Sequence, residues 1–275
     1  MKNSLSMIGA ISLLVFSFIF SKSTLDVAIE MSDLKNIIEL EKEKYKVDKI
    51  DSKIDNIYII PGINGKSVNV KKSYYNMKSI GSFVSNLLIY DEVEVNESIK
   101  NNKDKIIISG NENKKMVSLL FIVSNDFDFF KIVSILDNYN VEGNFFVDYE
   151  FISNNYKKIK IMGNHIIGIK NNNEIIKSDF IIKNSLNQKN NYCYNEFNDL
   201  NFLKSCFKES IYSIKPTIVI NDNFYKNVKE NIKSGSLISF KVNKQLEIEL
   251  PSIINFIKSK GYNIKNLDIH LNETL

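Results

Sequence analysis

Residues 116–149 read MVSLLFIVSNDFDFFKIVSILDNYNVEGNFFVDY. The stretch is a strand, a helix and a second strand. Met116–Val123 is an almost unbroken apolar run of strand length, the pattern of a strand buried on both faces. Asp126 and Asp128 are placed to cap a helix. Ile132, Ile135, Leu136 and Tyr139 recur at helical spacing, so one helix face packs inward. Val141–Gly143 turns the chain, and Asn144–Val147 with Tyr149 makes the second strand. A βαβ unit implies a parallel sheet with a right-handed crossover.

The alternation continues outward from this unit. Strands are predicted at Val117–Val123, Asn144–Tyr149, His165–Ile169, Tyr192–Tyr194, Ile211–Ile220, Leu237–Val242 and Ile264–Leu267. The clearest helices are Phe127–Tyr139, Glu174–Asn184, Leu200–Phe207, Tyr225–Lys233 and Glu249–Lys260. Gly235 and Gly261 stand where a helix C-terminus takes a left-handed residue. The class is α/β, as a distorted incomplete (β/α) barrel or a doubly wound open sheet. In both, a site lies at the C-terminal strand ends.

Two stretches carry a family resemblance. VSLLFIV…ILDNYNVEGNFFV resembles the opening of the polysaccharide deacetylase (NodB-type) family, which runs close to VALTFDDGP…ILDILKKYNVKATFFV. GSLISFKV…ELPSIINFIKSKGYNIKNLD is similar to that family's GSIVLLHD…ALPEIIEYLKSKGYKFVTLSEL. The likeness runs from Lys115 to the C-terminus and implies the incomplete (β/α) barrel. It also implies metal-assisted amide hydrolysis: a divalent ion held by one Asp and two His, a second Asp as base, and a late His as acid.

The positions that should carry those roles are changed. The family's Asp-Asp pair falls on Ile122 and Val123, with Asn125 and Asp126 close by; Asp126 also suits a helix cap. The G-H-E-I-G-N-H-x-x-x-H motif aligns with residues 164–174, placing Lys170 and Glu174 at the metal positions. A protonated lysine is a donor only. A shifted register leaves His165 and Ile169 there instead, and His165 reads as a framework histidine. The R-P-P-Y-G loop corresponds to Tyr192–Phe197 without its Arg or Pro, and the late histidine to Lys241. The expected pocket is therefore Asn125, Asp126, His165, Lys170, Glu174 and Lys241, with no catalytic residue, no metal ligand set and no cofactor. Lys170 and Lys241 suit an anionic group of a wall polymer. The alternative is an active de-N-acetylase of peptidoglycan or a related polysaccharide, with zinc or another divalent metal.

The rest of the chain sets the context. Of 275 residues, 44% are hydrophobic and 25% charged, as in ordinary globular proteins. The net charge is only +4, the lysines are scattered and arginine is absent, which argues against nucleic-acid readout. Leu5–Phe20 is a continuous apolar run, read as a signal peptide or signal anchor within residues 1–22. Residues 23–50 are expected as a helical stalk, 51–115 as a small N-terminal α+β region, and 116–275 as the deacetylase-like domain. Pro61–Gly65 reads as a plain turn, since it lacks the phosphate-loop pattern. The expected location is extracytoplasmic, held to the membrane or secreted. The expected partner is cell-wall polysaccharide or an envelope protein. In an exported domain Cys193 and Cys206 suit a disulfide.

Overall fold

A computed structural model describes residues 15, 17–18, 32–123, 129–159, 162, 164–170, 174–186 and 190–274. In chain order the elements begin with helix α1 (Asp33–Glu41), strands β1 (Lys53–Asp55), β2 (Tyr58–Ile60) and β3 (Gly65–Val68), helix α2 (Val70–Met77), and strands β4 (Tyr90–Val93) and β5 (Ile106–Ile107). Strand and helix then alternate: β6 (Met116–Ile122), α3 (Phe130–Asn138), β7 (Asn144–Val147), α4 (Tyr149–Ile159), β8 (Ile166–Lys170) and α5 (Ile175–Leu186). Next come β9 (Tyr192–Tyr194), α6 (Leu200–Lys208), β10 (Tyr212–Ile214), β11 (Ile218–Ile220) and α7 (Phe224–Asn231). The chain ends with β12 (Leu237–Lys241), α8 (Lys244–Ser259), β13 (Asn263–Ile264) and α9 (Leu267–His270).

The chain divides into two compact units. One is Met1–Lys49 with Asn64–Glu94; the other is Ile50–Ile63 with Val95–Leu275. In the smaller unit the Ser32 side chain caps α1 by accepting from the Lys35 N–H. Leu34 and Ile38 then bury one face of α1 among Val68, Met77 and Leu88, beside the antiparallel pair β3–β4. Within the expected stalk, Asp33–Glu41 is thus a packed helix, because its apolar stripe has partners to bury against. Leu5–Phe20, apart from Val15, Ser17 and Phe18, lies outside the described residues. No helix among the described residues is long and apolar enough to cross a membrane.

The larger unit is built on one sheet, in the order β1-β2-β5-β10-β9-β8-β7-β6-β12-β11, with β13 beside β6. Every pairing in it is parallel except β1 with β2. The boundary expected at Lys115 is not a boundary of the sheet: β2 and β5 extend the edge beyond β10.

The sheet is curled. The Tyr194 hydroxyl on β9 lies 2.8 Å from Ser239 Oγ on β12, although three strands separate them in the sheet. The expected strand Ile211–Ile220 is split for the same reason. Lys215 N–H donates to Ile107 O on β5, whereas Thr217 N–H donates to Leu237 O on β12, so residues 215–217 cross between the two edges. Pro216, which has no N–H to give a ladder, sits at the crossing.

Two apolar layers result. Inside the curl, Leu120, Phe146, Tyr192, Tyr194, Ile214 and Leu237 form one cluster with Ile59 and Ile107. Phe146 lies against the bare backbone of Gly168, where a Cβ would stand 2.4 Å from its ring. Outside, Phe121 stacks on Phe145 at 5.0 Å under the helices. Helix α8 begins earlier than the expected Glu249, with Asn243 capping Leu246 N–H, and runs through Pro251. An internal proline costs about 3 kcal/mol. Leu246, Leu250, Ile253, Ile254 and Ile257 are fully buried, each worth about 1.5–3 kcal/mol, so packing wins.

A disulfide joins Cys193 on β9 to Cys206 on α6, with Cα atoms 6.4 Å apart and both side chains fully buried. The double Cys193→Ser, Cys206→Ser variant should lose about 2–3 kcal/mol, read from urea denaturation midpoints. Reductant should move the parent protein by the same amount and leave the variant unmoved.

Candidate functional site

The C-terminal ends of β6, β7, β8, β9 and β12 form the mouth of the curl. Their final inward side chains decide what it can do. On β8 that residue is Lys170, whose ammonium donates to Val123 O at 2.9 Å and pairs with Asp148 Oδ2 at 2.9 Å. Lys170 thereby ties together the ends of three strands. Asp148 follows β7 and also caps α4, accepting from Phe151 N–H at 2.9 Å. Burial alone would raise the Asp148 pKa, but the Phe151 N–H and the Lys170 ammonium outweigh it and hold the carboxyl below its ordinary value.

Across the mouth, the Tyr194 hydroxyl meets Ser239 Oγ and Glu196 Oε2, the latter at 3.1 Å. Burial pushes this phenol well above its ordinary pKa, so it serves as a neutral donor. The loop that follows is locked: Asp199 N–H donates to Asn195 Oδ1, and Asn195 Nδ2 returns a bond to Asp199 O. Lys241 ends β12, in register with Ile122, and is exposed.

The expected pocket is only partly assembled. Lys170 and Lys241 stand at the mouth; Asn125 and Asp126 lie outside the described residues. His165 is at the opposite end, before β8, and is 3% exposed. Its Nδ1 accepts from Gly143 N–H at 2.9 Å, so Nε2 carries the proton and faces Asp137 Oδ1 at 3.2 Å. Burial lowers its pKa against the pull of Asp137. It is a framework histidine, as one reading of the sequence holds, and does not join the mouth. Glu174 precedes α5, pairs with Lys177 at 2.9 Å and lines a groove with Asp199 and Phe202 rather than the mouth.

Asp148, Tyr194, Glu196 and Ser239 were not anticipated as site residues. Tyr194 and Glu196 lie in the stretch that corresponds to the R-P-P-Y-G loop and Ser239 two residues before Lys241, while the signal for Asp148 is a polar residue directly after an apolar strand.

A divalent ion does not fit the described mouth. The two positions aligned with carboxylates are Ile122 and Val123, and the Val123 carbonyl and Asp148 carboxylate are already occupied by an ammonium. That ammonium repels a second cation and cannot ligate one. Among the described residues, no three His, Cys, Asp or Glu side chains are grouped to hold a metal.

No family model matches the chain. The chain is 30% identical over 141 residues to the uncharacterized protein YlxY of Bacillus subtilis (strain 168). That match covers 50% of this chain and 44% of YlxY, less than half the relative's length. Among solved structures, the wild-type BA3943 of Bacillus anthracis, described as a CE4 (carbohydrate esterase family 4) pseudoenzyme, superposes with a TM-score of 0.68. The identity is 22%, over 89% of this chain and 96% of that one. A BA3943 mutant described as having restored enzymatic activity gives the same TM-score, at 22% identity over 88% of this chain and 98% of that one. Bacillus subtilis PdaA, a family 4 carbohydrate esterase, gives 0.53 at 19% identity, over 62% of this chain and 87% of that one. The fold of this chain is therefore that of the family 4 carbohydrate esterases, the polysaccharide deacetylases, in a form whose described mouth holds a lysine ion pair where the sequence alignment places the metal ligands.

Proposed function

We propose that this chain is a degenerate polysaccharide deacetylase that no longer hydrolyses amides and acts outside the cell by binding cell-wall glycan or an envelope partner. The observation that carries the reading is Lys170, its ammonium seated between Val123 O and Asp148. Hydrolysis on this scaffold needs an ion to polarise the amide and a group to move protons. Lysine at Lys170 and Lys241, with Ile122 at the end of β6 and Val123 directly after it, provides no ligand for such an ion. Loss of a general acid or base alone costs about 10²–10⁴-fold in rate. The description of BA3943 as a pseudoenzyme on the same fold supports the reading. The apolar run Leu5–Phe20 supports export, with retention as an anchor.

The test uses the purified full chain. It should carry no stoichiometric zinc or cobalt, release no acetate from peptidoglycan or N-acetylglucosamine oligomers, and be retained on isolated cell wall. Stoichiometric metal together with acetate release would establish the active de-N-acetylase instead. Absence of wall retention would leave only an envelope protein as partner.

A further inference from the structure

Two neighbouring helices on the outer side of the sheet present apolar side chains to both sides. Helix α5 leads from β8 to β9 and α6 from β9 to β10, and the pairing of β8 with β9 sets the two helices side by side. Inward, Ile175 and Ile182 of α5 and Phe202, Leu203 and Cys206 of α6 are buried. Outward, Ile176 is 69% exposed, Phe180 67%, Leu200 50% and Phe207 47%. These four stand outside the core clusters. Apolar residues scattered singly over a surface are ordinary, but four on two adjacent helices mark a contact face.

The exposed charge on that face has one sign. Helices α5 and α6 carry four lysines, Lys177, Lys183, Lys204 and Lys208, all exposed, and one carboxylate, Asp179, which is buried. Asp179 pairs with Lys183, and Glu174, just ahead of α5, pairs with Lys177. Asp199 caps α6, and Glu209 at its far end is half-buried. Lys204 and Lys208 make no ion pair among the described residues. Helices α7 and α8 differ. They carry Glu230, Glu247 and Glu249, and of their large apolar side chains only Ile248 is comparably exposed, also at 67%.

Exposed apolar side chains among lysines select the partner. Protein interfaces are depleted in lysine, so a second protein is a poor match. A soluble polyanion pairs with the ammonium groups but offers nothing to Phe180 or Ile176. An anionic bilayer serves both: its headgroups take the lysines, and the boundary beneath them takes the apolar side chains. Lysine stems lie along apolar surface and keep the charge at headgroup level.

We infer that the outer face of α5 and α6 docks on an anionic lipid surface. The chain contains no tryptophan, so Phe180→Trp introduces a single fluorescent reporter. The full chain is mixed with vesicles of one part phosphatidylglycerol to two parts phosphatidylcholine, with brominated acyl chains as quencher. The reporter should lose at least half of its emission there, and should stay bright over brominated phosphatidylcholine alone or at high salt. Ile248→Trp, equally exposed on α8, should stay bright in every mixture. Insertion of Leu5–Phe20 by itself would leave the two reporters alike. Lys204→Gln with Lys208→Gln, added to the Phe180 reporter, should cut the quenching at least threefold at an unchanged melting temperature. A bright Phe180 reporter, equal quenching at Ile248, equal quenching over phosphatidylcholine alone, or full quenching with both lysines replaced overturns the inference. The face lies outside the curl, away from the mouth, and wall retention is a separate measurement, so failure of either leaves the other intact.

Discussion

Lowering the pH from 7.5 to 4 should cost the folded chain about 3 kcal/mol through His270 alone. His270 ends α9 and is fully buried. Ser118 Oγ donates to Lys265 O at 2.7 Å, so the proton on His270 Nδ1 is the one shared with Ser118, at 2.8 Å. Nε2 is left bare, without a hydrogen-bond partner among the described residues, and is pressed against Gly110, where a Cβ would stand 2.1 Å away. Burial, helped by the Lys114 ammonium, pulls this imidazole down to about 4 from 6.5. Between those values the unfolded chain takes up a proton and the folded chain does not, so stability falls as pH falls through that window. The lowered His165 pKa acts in the same direction. Asp148 acts only below its unfolded value of 3.8, because its folded pKa is depressed. Urea midpoints at pH 7.5 and pH 4 check this against His270→Asn, which keeps a donor for Ser118 and does not titrate. The variant should be less stable at pH 7.5 and should lose about 3 kcal/mol less than the parent on acidification. Equal losses in both proteins would remove His270 from the account.

Replacing Glu273 with alanine should destabilise the larger unit by about 3–4 kcal/mol. A single oxygen, Oε1, accepts from Ser52 Oγ at 2.8 Å, Gly62 N–H at 2.9 Å and Ile99 N–H at 3.2 Å. Hydrogen bonds to a charged group are worth about 1.5–3 kcal/mol each, less where donors share one acceptor. Truncation also strands the Ile99 amide, while Gly62 keeps the Ser52 hydroxyl at 2.9 Å. Glu273→Gln retains an acceptor oxygen and should recover about half of the loss. Hydrogen exchange at Ile99 and Gly62 localises the effect. An unchanged rate at both amides, with an unchanged urea midpoint, would mean that the carboxylate is not seated there in solution.

Local periodicity and residue chemistry determined a good deal. The apolar run of β6, the helical stripe of α3 and the turn before β7 are properties of adjacent residues, so the βαβ unit and the parallel sheet were readable from the sequence. So was the replacement of carboxylates by Ile122 and Val123, because residue identity needs no coordinates. Helix α4 was not read, since only Phe151, Ile152 and Ile159 mark its buried side and the Asp148 cap belongs to a segment that reads as strand. Nothing local says that residues 51–63 and 95–115 share a sheet with β10, or that Pro216 marks a crossing between edges. Those are pairings between distant segments, set by the curl. The same holds for the mouth, where Lys170 reaches Val123 and Asp148 only because three parallel strands end at one level. His165 shows the converse. Five residues before Lys170 in the sequence, it is carried by an extended strand to the other end of the sheet, into the wall of a cleft that residues 142, 191, 266 and 268 complete.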